Sequence, residues 1–297
     1  MSVAHVPVID ISRFFSGNTD IKKALAAQVA RAVEDIGFLT ITGHGIDQAL
    51  LNQATTELAT FFDLPQGIKQ NSLNPSHNIN RGYVPFGEEF TAASHGNKAP
   101  PDLREAFAFG RFDLPDDSYY RHPDAAYAYE PNIWPEGLDA FEATIKRYYR
   151  SLEQLNIVML RIFATALSLD ESFFLDKFDK HASVLRAINY PEQSRPPLPG
   201  QLRCGAHSDF GSHTLLHVVD APGGLQVLNR DQQWVDVAPP SGSFVVNIGD
   251  LLMNWTNDRW LSNMHRVVNP PVGAGASTQR QSIAFFVQPN YDALIEC

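Results

Sequence analysis

At 297 residues, with 44% apolar and 19% charged side chains, the chain is long enough to bury a sizeable core, and its composition excludes a disordered or membrane-spanning protein. Asp and Glu outnumber Lys and Arg by 33 to 23, and a net charge of −10 argues against nucleic acid or an anionic membrane surface as the primary partner. Two cysteines, Cys204 and Cys297, are too few for a disulfide framework and suit a reducing compartment. The first residues carry no basic-then-apolar signal segment, and no apolar run reaches the roughly 18 residues of a membrane span, so a cytoplasmic protein is expected.

In chain order, Ile21, Leu25, Val29 and Val33 recur at four-residue spacing and predict an amphipathic helix over 21–36. Gly37 stops it, FLTIT at 38–42 predicts a short strand, and Gly43-His44-Gly45 a turn. Asp47 caps a second helix that runs to about Phe62. Residues 71–135, rich in Asn, Pro, Gly and His, predict long loops with short strands. From Pro135 and Glu136 onward, apolar residues from Leu138 to Leu169 alternate spacings of three and four, which predicts a long helix packed along something large. After about residue 182 the period changes to two. Apolar runs at 183–188, 214–219, 225–228, 244–248, 264–268 and 282–287, separated by turn residues, predict an antiparallel sandwich or barrel. The chain thus divides into 1–135 (helices, short strands and loops), 136–181 (the long supporting helix and its connection) and 182–297 (the β-core), expected as one integrated unit.

The segment GAHSDFGSHTLL (205–216) sets His207 and Asp209 two residues apart. In a strand such residues project from one face, where an imidazole and a carboxylate can chelate one cation. His265, in NMHRVVNP (263–270), is the natural third ligand. Two histidines and one carboxylate leave coordination positions open, the pattern of a non-haem Fe(II) oxygenase. Alone, H-x-D is a weak signal, because most such pairs are surface polar residues. Arg280 and Ser282, in RQSIAFF, also share a strand face, and a guanidinium and a hydroxyl can converge there on one carboxylate.

Taken in this order and spacing, the residues resemble the 2-oxoglutarate and Fe(II)-dependent dioxygenases of the isopenicillin N synthase-like family. That family's H-x-D, distal His and R-x-S fall on His207, Asp209, His265, Arg280 and Ser282, and the segments VPVIDI (6–11), GFLTITGHGI (37–46), RGYVPFG (81–87), LRAINYP (185–191) and FVVNIGDLLMNWTND (244–258) are similar to it as well. The resemblance spans nearly the whole chain. It implies an α+β fold: a double-stranded β-helix, or cupin-like jelly roll, with a helical N-terminal region and a long buttressing helix.

It also implies an enzyme in which Fe(II) is held by His207, Asp209 and His265, and 2-oxoglutarate chelates the metal while meeting Arg280 and Ser282, with Tyr190 assisting. O2 is the other co-substrate. Succinate and CO2 leave as a small organic molecule is hydroxylated, with desaturation or cyclisation as further outcomes. Substrate contacts are implied at Tyr83, Arg186 and Phe286. Parity supports Phe286, which shares a strand face with Arg280, Ser282 and Ala284. The competing view is that Phe286 is barrel core and Arg186 pairs with an acid. If Arg186 meets substrate, a carboxylate or other acceptor is expected on it, and the family points to an apolar molecule of secondary metabolism.

Three departures stand out: Ile188 replaces the Asn of an N-x-Y pair, Ser208 a frequent Thr, and the sequence runs only to Cys297 where many members carry a segment over the active-site mouth. His44, His181, His213, His217 and Cys204 are expected to be structural. Competing readings are a 2-oxoglutarate-independent Fe(II) oxidase of the same family and a non-catalytic jelly-roll metal-binding protein. Oligomeric state is not encoded in any recognisable pattern.

Overall fold

A computed structural model describes residues 5–75, 80–96, 98–219, 224–271 and 277–297. Its larger sheet has the spatial order β1 (Val8–Asp10), β2 (Phe38–Thr42), β10 (Phe244–Ile248), β7 (His213–Val218), β12 (Arg280–Val287), β5 (Val184–Tyr190), β4 (Glu105–Phe109) and β3 (Gly82–Val84). The smaller sheet has the order β6 (Cys204–His207), β11 (His265–Val267), β8 (Leu225–Leu228) and β9 (Trp234–Asp236). Every pairing is antiparallel except that of β1 with β2. The helices are α1 (Ser12–Ser16), α2 (Thr19–Asp35), α3 (Gln48–Phe62), α4 (Gln66–Lys69), α5 (Ala126–Tyr129), α6 (Asp139–Ala166) and α7 (Asp250–Trp255). None of those described is long and apolar enough to cross a membrane.

Local sequence explains the helix ends. The Asn18 side chain accepts from the Ile21 N–H at 3.1 Å and opens α2; the Asp47 carboxylate does the same for α3 through Ala49, at 2.9 Å. Gly37, at φ +73°, closes α2, and a Cβ there would lie 2.1 Å from the Leu261 carbonyl oxygen, so only glycine fits. The long helix begins at Asp139, three residues later than the expected Glu136, because Gly137 at φ +73° turns the chain first. Along α6, Phe141, Ile145, Tyr148, Leu152, Leu155, Met159 and Ile162 form a buried stripe. Each of its Phe, Ile, Leu and Met side chains contributes about 1.5–3 kcal/mol on leaving water.

That stripe, with α2 and α3, covers the outer face of the larger sheet, where Leu39, Phe107, Ala187, Leu215, Val246, Ile283 and Phe285 join the same core. The inner face carries the alternate residues. Ala106, Ile188 and Tyr190 from the larger sheet pack there against Cys204 and Val267 of the smaller one. The expected α+β jelly roll with its buttressing helix is therefore what the chain adopts. β6 and β9 fall outside the apolar runs, since Cys204–His207 and Trp234–Asp236 are too short and too polar to mark themselves.

Candidate active site

β6 ends on His207 and β11 begins on His265, and the two stand directly opposite one another in the ladder. Their ring centroids are 4.2 Å apart. Asp209 lies beyond the end of β6, so strand parity does not place it. Its Oδ2 is instead pinned by two donors from the larger sheet, Thr214 Oγ1 at 2.6 Å and Asn247 Nδ2 at 2.7 Å. This leaves Oδ1 facing the two imidazoles, 3.7 Å from Nε2 of each.

On each histidine, Nδ1 reaches a backbone carbonyl: Gly205 at 2.9 Å for His207 and Asn263 at 3.1 Å for His265. A carbonyl can only accept, so Nδ1 carries the proton and Nε2 presents its lone pair inward. One donor atom from each of the three residues lies within 4.8 Å of the others. Burial pulls both imidazoles below their ordinary pKa, His265 to about 4 with His207 adding to the effect. Burial works the other way on the Asp209 carboxyl, but His265, His207, Thr214 and Asn247 outweigh it and hold the group below its usual range. Neutral imidazoles and a carboxylate are the forms that bind metal. Two nitrogens and one oxygen with one side open fit Fe(II).

The donors border a cavity between the sheets whose apolar wall includes Phe38, Ile188, Leu216, Val267, Ala284 and Phe286. At one end, the β12–β5 register sets Arg280 opposite Tyr190 and Ser282 opposite Ile188, which brings Arg280, Ser282 and Tyr190 to one part of the cavity. Arg280 Nη1 is buried with no hydrogen-bond partner, and its guanidinium carbon lies 5.1 Å from the centre of the Tyr190 ring. Arg203 approaches the same ring at 5.8 Å. A buried donor left unmet costs about 1–3 kcal/mol, so a bare guanidinium here calls for an anion, and the far carboxylate of 2-oxoglutarate fits. Arg203 was not singled out by its sequence setting. A wider cleft of about 690 Å³, lined by Gln48, Asn52, Val219 and Asn269 among others, shares Arg280 and Leu225 with this cavity but not the metal donors.

The three residues expected at the substrate separate. Phe286 lines the cavity. Arg186 is on the inner face, opposite Ala284, but its Nη2 donates to Glu89, as the competing view held. Tyr83 is not in the cavity. It pairs with Phe107, which pairs with Ala187, so it points to the outer, helix-covered face, fully buried against Phe61. Its hydroxyl donates to Glu105 at 2.5 Å. Gly82 and Val84 hold the inward positions of that short strand.

Of the remaining histidines, expected to be structural, His44 and His181 are hydrogen-bonded, whereas His213 Nε2 and His217 Nδ1 are buried without a partner and His217 borders the wider cleft. His44 reaches the Gly242 carbonyl at 2.8 Å, and His181 reaches Glu153 at 2.8 Å. His213 packs on Phe163, with burial pulling its pKa to about 3, and burial together with His44 takes His217 to about 4. Cys204 is buried, which pushes its thiol up to about 11. Ser208 turns its hydroxyl to Asp250, 3.2 Å away.

Comparison with known proteins agrees with this geometry. A model of the 2OG-Fe(II) oxygenase superfamily matches residues 181–289, and one described as non-haem dioxygenase in morphine synthesis N-terminal matches 6–137. A 2-oxoglutarate-Fe(II) type oxidoreductase of Emericella nidulans is 34% identical over 98% of this chain and 81% of that relative. Validamycin A dioxygenase of Streptomyces hygroscopicus subsp. limoneus is 31% identical over 95% of this chain and 76% of its own length. The crystal structure of a full-length Neurospora crassa protein in complex with alpha-KG superposes with a TM-score of 0.85 at 32% identity, covering 98% of this chain and 87% of that one. The chain belongs to the 2OG-Fe(II) oxygenase superfamily and is a 2-oxoglutarate-dependent dioxygenase, using Fe(II), 2-oxoglutarate and O2 to oxidise a small organic molecule with release of succinate and CO2.

Proposed function

We propose that Nε2 of His207, Nε2 of His265 and Oδ1 of Asp209 hold the iron, and that Arg280 and Ser282 take the far carboxylate of 2-oxoglutarate beside Tyr190. One observation carries this reading. Three donor atoms whose companions are already hydrogen-bonded face one point, in the same cavity as Arg280, whose Nη1 is buried without a hydrogen-bond partner. When bound, the iron supplies the oxidising chemistry with O2 and 2-oxoglutarate. The chain's own residues position and protect. Thr214 and Asn247 fix which carboxylate oxygen of Asp209 faces the metal, and the two backbone carbonyls fix the imidazole tautomers. Tyr190 offers its ring face to the Arg280 guanidinium and limits its swing, and the apolar wall keeps water from the reacting carbon.

The substrate is a small molecule placed over the iron against Phe286, with Arg186 and its partner Glu89 above it. Segments 1–135, 136–181 and 182–297 act as one unit, because a single core joins side chains from all three. The acidic balance favours a small-molecule partner over nucleic acid, and two cysteines, both unpaired, suit a reducing cytoplasm. The test is His265→Ala. Two remaining ligands cannot hold a labile divalent ion against a chelator, so bound iron and 2-oxoglutarate-dependent succinate release should both disappear. Wild-type iron content with wild-type turnover would remove His265 from the site.

A further inference from the structure

Four charged side chains form a cluster that reaches the cavity wall through Arg104. Glu89 sits between two guanidiniums: Arg186 donates to one of its oxygens, and Arg104 Nε lies 3.1 Å from the other. Arg104 also lies 3.6 Å from Asp102 and donates to Thr91 Oγ1 at 2.8 Å. Two cations and two carboxylates therefore cancel. Arg104 lines the cavity, and Arg186 stands opposite Ala284, which lines it too. The Glu89 and Arg186 side chains keep 20% and 14% of their surface exposed, so the cluster is only partly desolvated. Glu89 Oε2, Arg104 Nε and Arg186 Nε are buried without a hydrogen-bond partner, since the 3.1 Å contact is poorly aligned for one.

We propose that Glu89 selects the charge of the substrate: by cancelling Arg186 and Arg104, it makes the pocket accept a small molecule whose buried end is polar but uncharged, and reject a carboxylate there. The proposal rests on the reading that substrate lies over the iron against Phe286. An anion brought to Arg186 must face or displace the Glu89 carboxylate, and like charges repel strongly in a partly desolvated site. A cation meets two guanidiniums instead. A neutral group can use the unmatched donors and acceptor without upsetting the balance. Burial opposes the charge on Glu89, but Arg186 and Arg104 more than offset this and keep it anionic. Of the carboxylate or other acceptor expected on a substrate that meets Arg186, the pairing with Glu89 favours the uncharged acceptor.

Benzoate and benzamide have nearly the same shape and differ in charge. Their dissociation constants are measured on iron-loaded protein saturated with 2-oxoglutarate, without oxygen. Wild type should bind benzamide more tightly than benzoate. In Glu89→Gln, benzoate should gain about tenfold or more while benzamide changes by less than about threefold, and Glu89→Gln/Arg186→Gln should lose that gain. The mirror variant Arg186→Gln, which leaves carboxylate in excess, should gain about tenfold for the cation benzamidine. The proposal is overturned if benzoate binds wild type as tightly as Glu89→Gln, if it binds neither, or if benzamide gains as much as benzoate, since Glu89 would then be filling space. Failure of the benzamidine gain in Arg186→Gln overturns it as well. Iron content and 2-oxoglutarate affinity, read on the same samples, keep this failure apart from failure of the underlying site assignment.

Discussion

Two carboxylates are buried against opposite faces of the larger sheet, and they differ in what is left over. On the outer face, Glu105 accepts from Lys69 at 2.7 Å and Tyr83 at 2.5 Å on one oxygen, and from Asn189 at 2.8 Å on the other. On the inner face, Asp209 has both of its protein donors on Oδ2, while Oδ1 faces only two imidazole nitrogens with lone pairs of their own. The first cluster is closed: donors match acceptors, and nothing more can be taken up. The second has three acceptors aimed at one point, which is stable only around a cation. Burial alone therefore does not mark a functional acid. The unmatched oxygen does.

If Glu105 is structural, its partners should govern stability and nothing else. Lys69→Met strands a buried carboxylate, and the expected cost is about 3–5 kcal/mol in denaturant unfolding with iron content unchanged. Iron loss in a folded Lys69→Met protein would show that the two clusters are one system. Tyr83→Phe removes one of two donors on the same oxygen and should cost less, about 1–3 kcal/mol, with substrate affinity intact. A change in substrate affinity in Tyr83→Phe would return that residue to the pocket wall and break the distinction between the faces.

Tyr83 also shows where sequence reading stops. Within one long strand parity is secure, and Arg280, Ser282 and Phe286 keep the common face that their spacing predicts. β3 has three residues, and nothing local sets its register against β4, so the choice between Tyr83 and its neighbours Gly82 and Val84 was made by pairing that the sequence does not display. Asp209 stands beside His207 for a reason the spacing does not contain, since hydrogen bonds from Thr214 and Asn247 hold it rather than a strand. Glu89 was missed because it lies in a loop 97 residues from Arg186, and such a contact leaves no mark on either segment. The fold was legible where apolar residues alternate, as in β5, β7, β10 and β12, each of which buries one face or both. It was not legible in β6, a four-residue strand joined to β11 across an irregular register.

If Asp209 is open because it holds the iron, Asp209→Asn removes the metal, since the amide keeps the size of the side chain and loses its charge. Iron per chain is measured after dialysis against a chelator, alongside 2-oxoglutarate-dependent succinate release. Folded Asp209→Asn should retain almost no iron and release almost no succinate under conditions where wild type keeps both. Wild-type iron and wild-type succinate release in Asp209→Asn would contradict it.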